Sequence, residues 1–346
     1  MKILVSFQPN KKASDFEGAR MRKTIKGSLE VMGIEYTTSV VEKYDIMHLI
    51  SAEDDSKAND AKESNIPLVI SALYCEDDSL ANYIEYKSKD GTRVNSIKSK
   101  CLRFLNKANV ITVPSQKAKE FLIDNGVKPD IQVVPVGVNM SRFDFSREDE
   151  KDIFYRYFRE NRSKRLVVAM GEYDNNMDGI NAFINAAKKC PDVLFYYIGR
   201  ESVPGILKSF KMSRMISSSP KNVKFHGIIP DDVYRSALMN ADVFMLPGYK
   251  VAGVVSLYDA MAAKCQLIVR DQAVFSDLLE DGKTAYLAQY SETLTSLTKD
   301  YFQGKLKPTI EKAYQEVSKH SLEVLGEQLR WVYQKELNIK NSNLDF

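Results

Sequence analysis

The sequence lacks paired cysteines and long hydrophobic runs. Its 346 residues include four cysteines, which lie far apart and form no C-x-x-C pair, so a zinc or iron–sulfur site has no support. Four scattered thiols favour a reducing compartment. No apolar stretch reaches the ~18–20 residues that span a bilayer, and the opening MKILVSFQPN is too short for a signal peptide. We therefore expect a cytoplasmic protein, with peripheral attachment to the inner face of a membrane left open.

A strong net charge is also lacking. The formal charge of +3 argues against a nucleic-acid partner, since dedicated nucleic-acid binders carry strongly basic domains. The hydrophobic share of 44% and the charged share of 27% exclude a disordered or collagen-like chain. Ser–His–Asp, H-E-x-x-H, P-loop and G-x-G-x-x-G patterns are missing. The three histidines, His48, His226 and His320, form no constellation and favour structural roles, and we predict no metal site.

Short apolar runs alternate with amphipathic stretches along the chain. The runs predict strands at 3–7, 46–50, 68–72, 110–113 and 131–134, and then at 166–170, 193–198, 223–225, 243–246 and 267–269. The stretches between them predict helices at 19–32, 96–107 and 115–125, and then at 178–190, 231–240, 255–264 and 274–280. This alternation predicts two α/β domains, each with a parallel sheet covered on both faces.

Residues 137–164 are dense in charge and contain no apolar run typical of a buried strand. We read them as a linker and first helix, and we predict an N-terminal domain over 1–160 and a C-terminal domain over 161–311. The tail from Thr309 to Leu337 has apolar residues at helical spacing.

Several segments resemble family-4 retaining glycosyltransferases of the GT-B fold. NVKFHGIIPDDVYRSALMNADVFMLPGY at 222–249 and LYDAMAAKCQLIVRDQAVFSDLLEDGKTAYL at 257–287 resemble two of the family's segments. VITVPSQKAKEFLIDNGV at 110–127 and VVPVGVNMSRF at 133–143 resemble its strand, helix and interdomain linker. The resemblance implies two doubly wound Rossmann-like domains facing across a cleft, with 312–337 crossing back onto the N-terminal, acceptor-side domain. Arg270–Leu279 and Gly33–Thr37 look most like bacterial glycosyl-diacylglycerol synthases.

The family's basic residues for the donor diphosphate are replaced. The family reads like G-R-x-x-x-x-K-G, whereas MGEYDNNMDGI at 170–180 keeps Gly171 but has Glu172 and Asp178 at the basic positions. Losing two charge-assisted hydrogen bonds costs roughly 3–6 kcal/mol. If its role is purely structural, this segment is a helix N-cap turn, and a carboxylate-bound metal is an alternative.

The family's E-x7-E pair is also altered. Its second position is Asp259 in LYDAMA, where the carboxylate either holds the ribose or is an ordinary helix residue. The first position is Val251, which can neither accept nor donate a proton. Arg200 and Lys250 are candidates for substitute cations at the donor site.

The N-terminal glycine loop retains part of the family pattern. Where the family reads like S-G-I-G-R, this chain has DFEGAR at 15–20, which keeps Gly18 and Arg20 as candidates on the acceptor and diphosphate side. Arg20, Arg22, Lys23 and Lys26 predict a basic helix face that is either solvated or in contact with anionic lipid.

Two functions remain open. The first is an active hexosyltransferase that moves sugar from a nucleotide sugar, such as a UDP-hexose, to a glycolipid or glycan acceptor. No further cofactor is implied, and no catalytic residue is assigned. The second is a non-catalytic pseudo-glycosyltransferase that is a partner or chaperone of an active glycosyltransferase. A sugar-nucleotide epimerase of the same shape has little support.

Overall fold

The computed structural model describes residues 1–7, 17–50, 55–72, 86–87, 93–94, 97, 99–171, 177–199, 210–248 and 254–342. The chain divides into two compact units. The first unit comprises Met1–Asn139, Ala273–Asp277 and Lys319–Phe346, and the second unit comprises Met140–Gln272 and Leu278–Ser318.

The first unit is built on a six-stranded parallel sheet. The strands of this unit are β1 (Lys2–Ser6), β2 (Glu35–Thr37), β3 (Ile46–Ile50), β4 (Leu68–Ser71), β5 (Tyr86–Lys87), β6 (Arg93–Val94), β7 (Val110–Val113) and β8 (Asp130–Val133). The sheet order is β2-β1-β3-β4-β7-β8, while β5 and β6 pair separately as an antiparallel hairpin. The central strands are buried almost throughout, because helices cover both faces of a parallel sheet.

Helices of the first unit follow the strands in the manner of β–α–β crossovers. They are α1 (Glu17–Val31), α2 (Asp55–Glu63), α3 (Ser99–Leu105) and α4 (Gln116–Asp124). The unit also contains α12 (Leu322–Ser342), which follows α11 (Ile310–Val317) and connects no strands. Phe104 and Leu105 of α3 face the core, with at most 1% of their surface exposed.

The C-terminal helix α12 packs on α1, which confirms the predicted return of the chain to the N-terminal part. The close approach requires a glycine. A Cβ on Gly326 would lie 2.4 Å from Cγ of Met32 and 2.7 Å from the carbonyl oxygen of Ser28. Arg330 of α12 donates to the carbonyl oxygen of Met32 at the same contact.

The second unit has its own six-stranded parallel sheet. Its strands are β9 (Leu166–Met170), β10 (Leu194–Ile198), β11 (Val223–His226), β12 (Val243–Leu246), β13 (Gln266–Arg270) and β14 (Tyr286–Ala288). Its helices are α5 (Glu148–Phe158), α6 (Met177–Lys189), α7 (Phe210–Ser217), α8 (Asp231–Asn240), α9 (Val254–Ala262), α10 (Ser291–Phe302) and α11 (Ile310–Val317). The sheet order is β11-β10-β9-β12-β13-β14.

Helix α5 belongs to the second unit, whereas the sequence analysis placed residues up to 160 in the N-terminal domain. Ser236 of α8 accepts a hydrogen bond from the amide of Phe154 at 2.9 Å and donates to the carbonyl oxygen of Lys151 at 2.8 Å. Asn240 donates to that same carbonyl at 2.8 Å. These bonds fasten α5 to α8, so the division of the compact units falls after Asn139.

One helix prediction was wrong. The predicted helix at 274–280 is a single 3-10 turn, Ala273–Phe275. The carboxylate of Asp277 accepts a hydrogen bond from the amide of Gln116 at 2.6 Å, which ties this segment to the start of α4 instead of letting it continue as a helix. The apolar residues at helical spacing in 309–337 belong to two helices. Helix α11 ends at Val317 and stays with the second unit, and α12 begins at Leu322.

Candidate functional site

The second sheet has a topological switch point at its centre. From β9, the chain continues to β10 and β11 on one side of β9 and then crosses to β12 on its other side. Open parallel sheets bind ligands at this point, in the crevice outside the carboxyl ends of the strands. The residues that follow β9 and β12 are therefore the first place to look for a binding site.

Glycines end β9 and β10 at this edge. Gly171 has φ +144°, and its amide donates to the carbonyl oxygen of Ile198 at 3.3 Å. A Cβ on Gly199 would lie 1.7 Å from the carbonyl oxygen of Gly171, so no other residue fits there. Two adjacent strands are thus followed by residues without a side chain, which lets a ligand approach main-chain groups closely.

Asp259 lies on the buried helix α9 and is 2% exposed. Its Oδ2 accepts a hydrogen bond from Oη of Tyr234 at 3.0 Å and lies 3.4 Å from Nη1 of Arg142. Nη2 of Arg142 also binds Oδ1 of Asp231 at 2.8 Å. Burial alone lowers the pKa of Arg142, but the carboxylates of Asp259 and Asp231 outweigh it and raise that pKa above its ordinary value.

These contacts place Asp259 in a charge-compensated cluster with Arg142, Tyr234 and Asp231. A buried carboxylate needs such partners, because an isolated buried charge is costly. Its role in holding a ribose stays a prediction. Arg142 and Tyr234 were missed by the sequence analysis, although both lie inside quoted family-like segments, at 133–143 and 222–249.

Several predicted donor-site residues lie outside the described residues. These are Lys250, Arg200, Val251 and Glu172. The side chain of Asp178 is likewise outside the description, although its backbone is in the first turn of α6. Their roles stay predictions.

Gly18 and Arg20 lie in the first turn of α1, which follows β1. Arg20 is 8% exposed, so the prediction that it belongs to a solvated or lipid-contacting face is wrong. Of the other basic residues, Lys23 is exposed and Arg22 donates to the carbonyl oxygen of Phe7 at 3.4 Å. A buried cation at the start of a helix is still suited to an anionic ligand, since the helix dipole adds to its charge.

Two histidines have structural contacts, in line with the prediction. His48 is fully buried, with Nδ1 2.6 Å from Oη of Tyr333 and Nε2 2.7 Å from Oγ of Ser71. Burial lowers its pKa to about 3, so it is neutral near pH 7. His226 stacks on Tyr196 with 10° between the ring planes. In the described ranges, no three His, Cys, Asp or Glu side chains are grouped so as to hold a metal ion.

The family model described as "Glycosyl transferases group 1" matches residues 164–300. The second unit carries a glycosyl transferase group 1 domain. This domain includes the switch point, Gly171, Gly199 and Asp259, whereas Arg142, the partner of Asp259, precedes the matched region.

Curated relatives extend the likeness beyond that domain. The processive diacylglycerol alpha-glucosyltransferase of Acholeplasma laidlawii is 23% identical over 91% of this chain and 92% of its own length. The alpha-galactosylglucosyldiacylglycerol synthase of Streptococcus pneumoniae is 23% identical over 55% of this chain and 51% of its own length.

Solved structures share the fold. The Anabaena protein HepE, solved in complex with UDP and glucose, has a TM-score of 0.72 and 14% identity over 97% of this chain and 100% of its own. Sucrose-phosphate synthase from Thermosynechococcus elongatus has a TM-score of 0.71 and 14% identity over 96% of this chain and 98% of its own. The chain therefore has two Rossmann-like α/β units of the GT-B class, as the sequence predicted. Within the described parts of the chain, every helix is too short or too polar to cross a bilayer.

Proposed function

We propose that this protein is a retaining hexosyltransferase that moves a sugar from a nucleotide sugar to a diacylglycerol-based lipid or glycolipid. The observation that carries the proposal is the switch point of the second sheet, where β9 and β10 end in Gly171 and Gly199 inside the glycosyl transferase group 1 domain. A donor diphosphate at this edge would meet backbone groups without side chains in its way.

The lipid acceptor is proposed from the relatives. The glucosyltransferase of Acholeplasma laidlawii is similar along 91% of this chain, and its name states a diacylglycerol substrate. An enzyme with that acceptor works at a membrane surface, and the absence of a membrane-spanning helix in the described residues fits peripheral attachment. The exposed Lys23 on α1 suits contact with anionic lipid.

The donor contacts follow from the residues at hand. We assign the ribose to Asp259, with Arg142 as the cation paired with its carboxylate. Arg20, in the family-like motif at 15–20, is a candidate to bind the diphosphate, and Lys250 and Arg200 are candidates for cations in place of those the family carries. These assignments are proposals for mutagenesis.

One observation favours a second candidate, the pseudo-glycosyltransferase. Asp259 is already engaged by Arg142 and Tyr234, and at 2% exposure it has little surface left for a ligand. A chain with a closed donor site would bind a catalytic glycosyltransferase as its partner instead of a sugar nucleotide.

A thermal-shift titration with UDP, GDP and their hexose derivatives, with and without Mg²⁺, separates the two candidates. A ligand at 100 times its Kd stabilises the folded state by about 2.7 kcal/mol, a shift of several degrees for units of this size. We expect one nucleotide to give such a shift in the wild type and a smaller one in Asp259→Asn.

The matched control is Asp242→Asn. Oδ2 of Asp242 accepts a hydrogen bond from the amide of Leu166 at 2.7 Å, at the amino end of the same sheet. This variant loses stability without approaching the switch point, so its ligand-induced shift should equal that of the wild type. No shift at millimolar ligand with the wild type would contradict the transferase and favour the pseudo-glycosyltransferase.

A further inference from the structure

A cavity of about 220 Å³ opens at the amino edge of the first sheet. Leu68, where β4 begins, and Asn109, which precedes β7, lie on one side of it. The end of α2 and the last turns of α12 form the other walls, so every lining residue belongs to the first unit. Open parallel sheets bind their usual ligands at the opposite, carboxyl edge, so this cavity is a separate feature.

Hydrogen bonds hold the walls of the cavity in place. The amide of Leu68 donates to Oδ1 of Asn109 at 2.8 Å, and the amide of Asn109 donates to the carbonyl oxygen of Leu68 at 2.9 Å. After α2, the amide of Ile66 donates to the carbonyl oxygen of Ala61 at 2.8 Å. The cavity is therefore preformed. Its volume is below the ~300–1,000 Å³ of sites for drug-sized molecules, which limits the ligand to a small group.

Glu336 of α12 lines the cavity, and no described residue donates a hydrogen bond to its carboxylate. Only 5% of its surface is exposed. Burial raises the pKa of this carboxyl group, although the ammonium group of Lys335 opposes the effect. A buried carboxylate without a donor is costly, so the position favours a ligand whose hydroxyl group donates to it.

Three lysines line the same space, namely Lys62, Lys107 and Lys340. Lys107 is paired with Asp55, with 2.7 Å between Nζ and Oδ1. Lys62 is exposed and Lys340 is half-buried, and neither forms an ion pair with any residue that the structure places. Two ammonium groups available for charge-assisted hydrogen bonds suit an anion, above all a phosphate group.

We propose that this cavity binds a small phosphate ester that carries free hydroxyl groups. Lys62 and Lys340 hold the phosphate, and the carboxylate of Glu336 accepts a hydrogen bond from a hydroxyl group. A soluble polyol phosphate and the headgroup of a glycerophospholipid share this chemistry. The inference does not rest on the proposed function, because it uses neither the switch point nor the transfer of a sugar.

Calorimetric titration of the full chain tests the soluble source. Glycerophosphate and methyl phosphate carry the same phosphate group, but only glycerophosphate has free hydroxyls. We expect the wild type to bind glycerophosphate about three- to tenfold more tightly than methyl phosphate. Glu336→Met should remove this preference, because methionine has no oxygen to accept from a hydroxyl. The variant should still fold, since it replaces a buried carboxylate that lacks a donor with an apolar side chain.

The lysines are tested one at a time. Lys62→Ser and Lys340→Ser should each weaken the binding of both esters about three- to tenfold, because each removes a cation from the phosphate. The matched control is Lys312→Ser, which removes the same charge from an exposed position on α11 in the second unit. This control should leave both affinities unchanged.

Sedimentation with vesicles tests the lipid source. Phosphatidylglycerol has hydroxyls on its headgroup, whereas phosphatidylmethanol has the same charge and none. If the ligand is a lipid headgroup, the wild type should prefer phosphatidylglycerol vesicles, and Glu336→Met should not. A preference that depends on Glu336 in either experiment supports the inference and identifies the source. Equal binding of the two probes in both experiments, or a preference that Glu336→Met retains, would overturn it, as would lysine variants that behave like Lys312→Ser.

Discussion

Replacing Arg142 by methionine is expected to destabilise the protein much more than replacing its partner Asp259 by asparagine. The side chain of Asp259 is 3% exposed, whereas that of Arg142 is 28% exposed. Removing one partner of a buried ion pair costs about 3–5 kcal/mol, because the remaining charge is left buried. Since some solvent reaches this pair, we expect about 3 kcal/mol for Arg142→Met.

After Asp259→Asn, the remaining charge is the guanidinium of Arg142, which still has a partner and some contact with solvent. Arg142 keeps its bond to Asp231 at 2.8 Å and its partial exposure, and the asparagine oxygen still accepts from Tyr234. We expect a loss of about 1 kcal/mol, which is typical of one hydrogen bond. For a unit of this size, the two variants should melt about 6–12 °C and 2–4 °C below the wild type.

The double variant tests the physical cause. If the cost of Arg142→Met is the stranded carboxylate of Asp259, then adding Asp259→Asn should recover about 1 kcal/mol. Calorimetry on the wild type, both single variants and the double variant gives this coupling directly. Additive losses, or a loss in Asp259→Asn as large as in Arg142→Met, would refute the reasoning.

Three further predictions concern buried groups elsewhere. Burial lowers the pKa of His48 to about 3, so between about pH 6.5 and pH 3 the imidazole is protonated in the unfolded chain but not in the folded one. The free energy of unfolding should therefore fall as pH drops through this range, by at most ~1.4 kcal/mol per pH unit. The unfolding free energy of His48→Gln, measured in urea at pH 7 and pH 5, should lack this pH-dependent component. A pH dependence equal to that of the wild type would contradict the prediction. Gly326→Ala should cost about 1–3 kcal/mol, because the new Cβ would overlap Met32, whereas Gly227→Ala, with open space around it, should be neutral in the same unfolding experiment. Burial raises the pKa of the Cys265 thiol, so Cys265 should react with a thiol reagent only after unfolding, and rapid labelling of the native protein at pH 8 would be inconsistent with its position.

The fold was readable from the sequence where apolar runs were continuous. Ile46–Ile50 and Leu166–Met170 are strands with the predicted bounds, because fully buried parallel strands leave an unbroken apolar run. The missed helix α10 shows the limit. Its sequence SETLTSLTKDYF buries only Leu294 and Thr298 among its twelve residues, so its periodic signal is weak.

The candidate site was readable only in part. Family-like motifs led to Gly171 and Asp259, since these are local patterns. Local patterns could not identify Arg142 as the partner of Asp259, because the two residues are 117 positions apart in the chain and meet only after folding. The cavity lined by Glu336 was missed for the same reason, since α12 reaches the end of α2 only in the folded unit.

Sugar transfer is the most direct test of the proposed function. The purified chain would be incubated with UDP-glucose or UDP-galactose and with diacylglycerol or monoglucosyldiacylglycerol in mixed micelles containing anionic lipid, and the lipids would be read by mass spectrometry. We predict a product heavier than one acceptor by a single hexose and α-linked by NMR, with less product from Asp259→Asn than from Asp242→Asn. No hexose addition to any of these acceptors, by a folded protein that binds none of the nucleotides, would contradict a transferase.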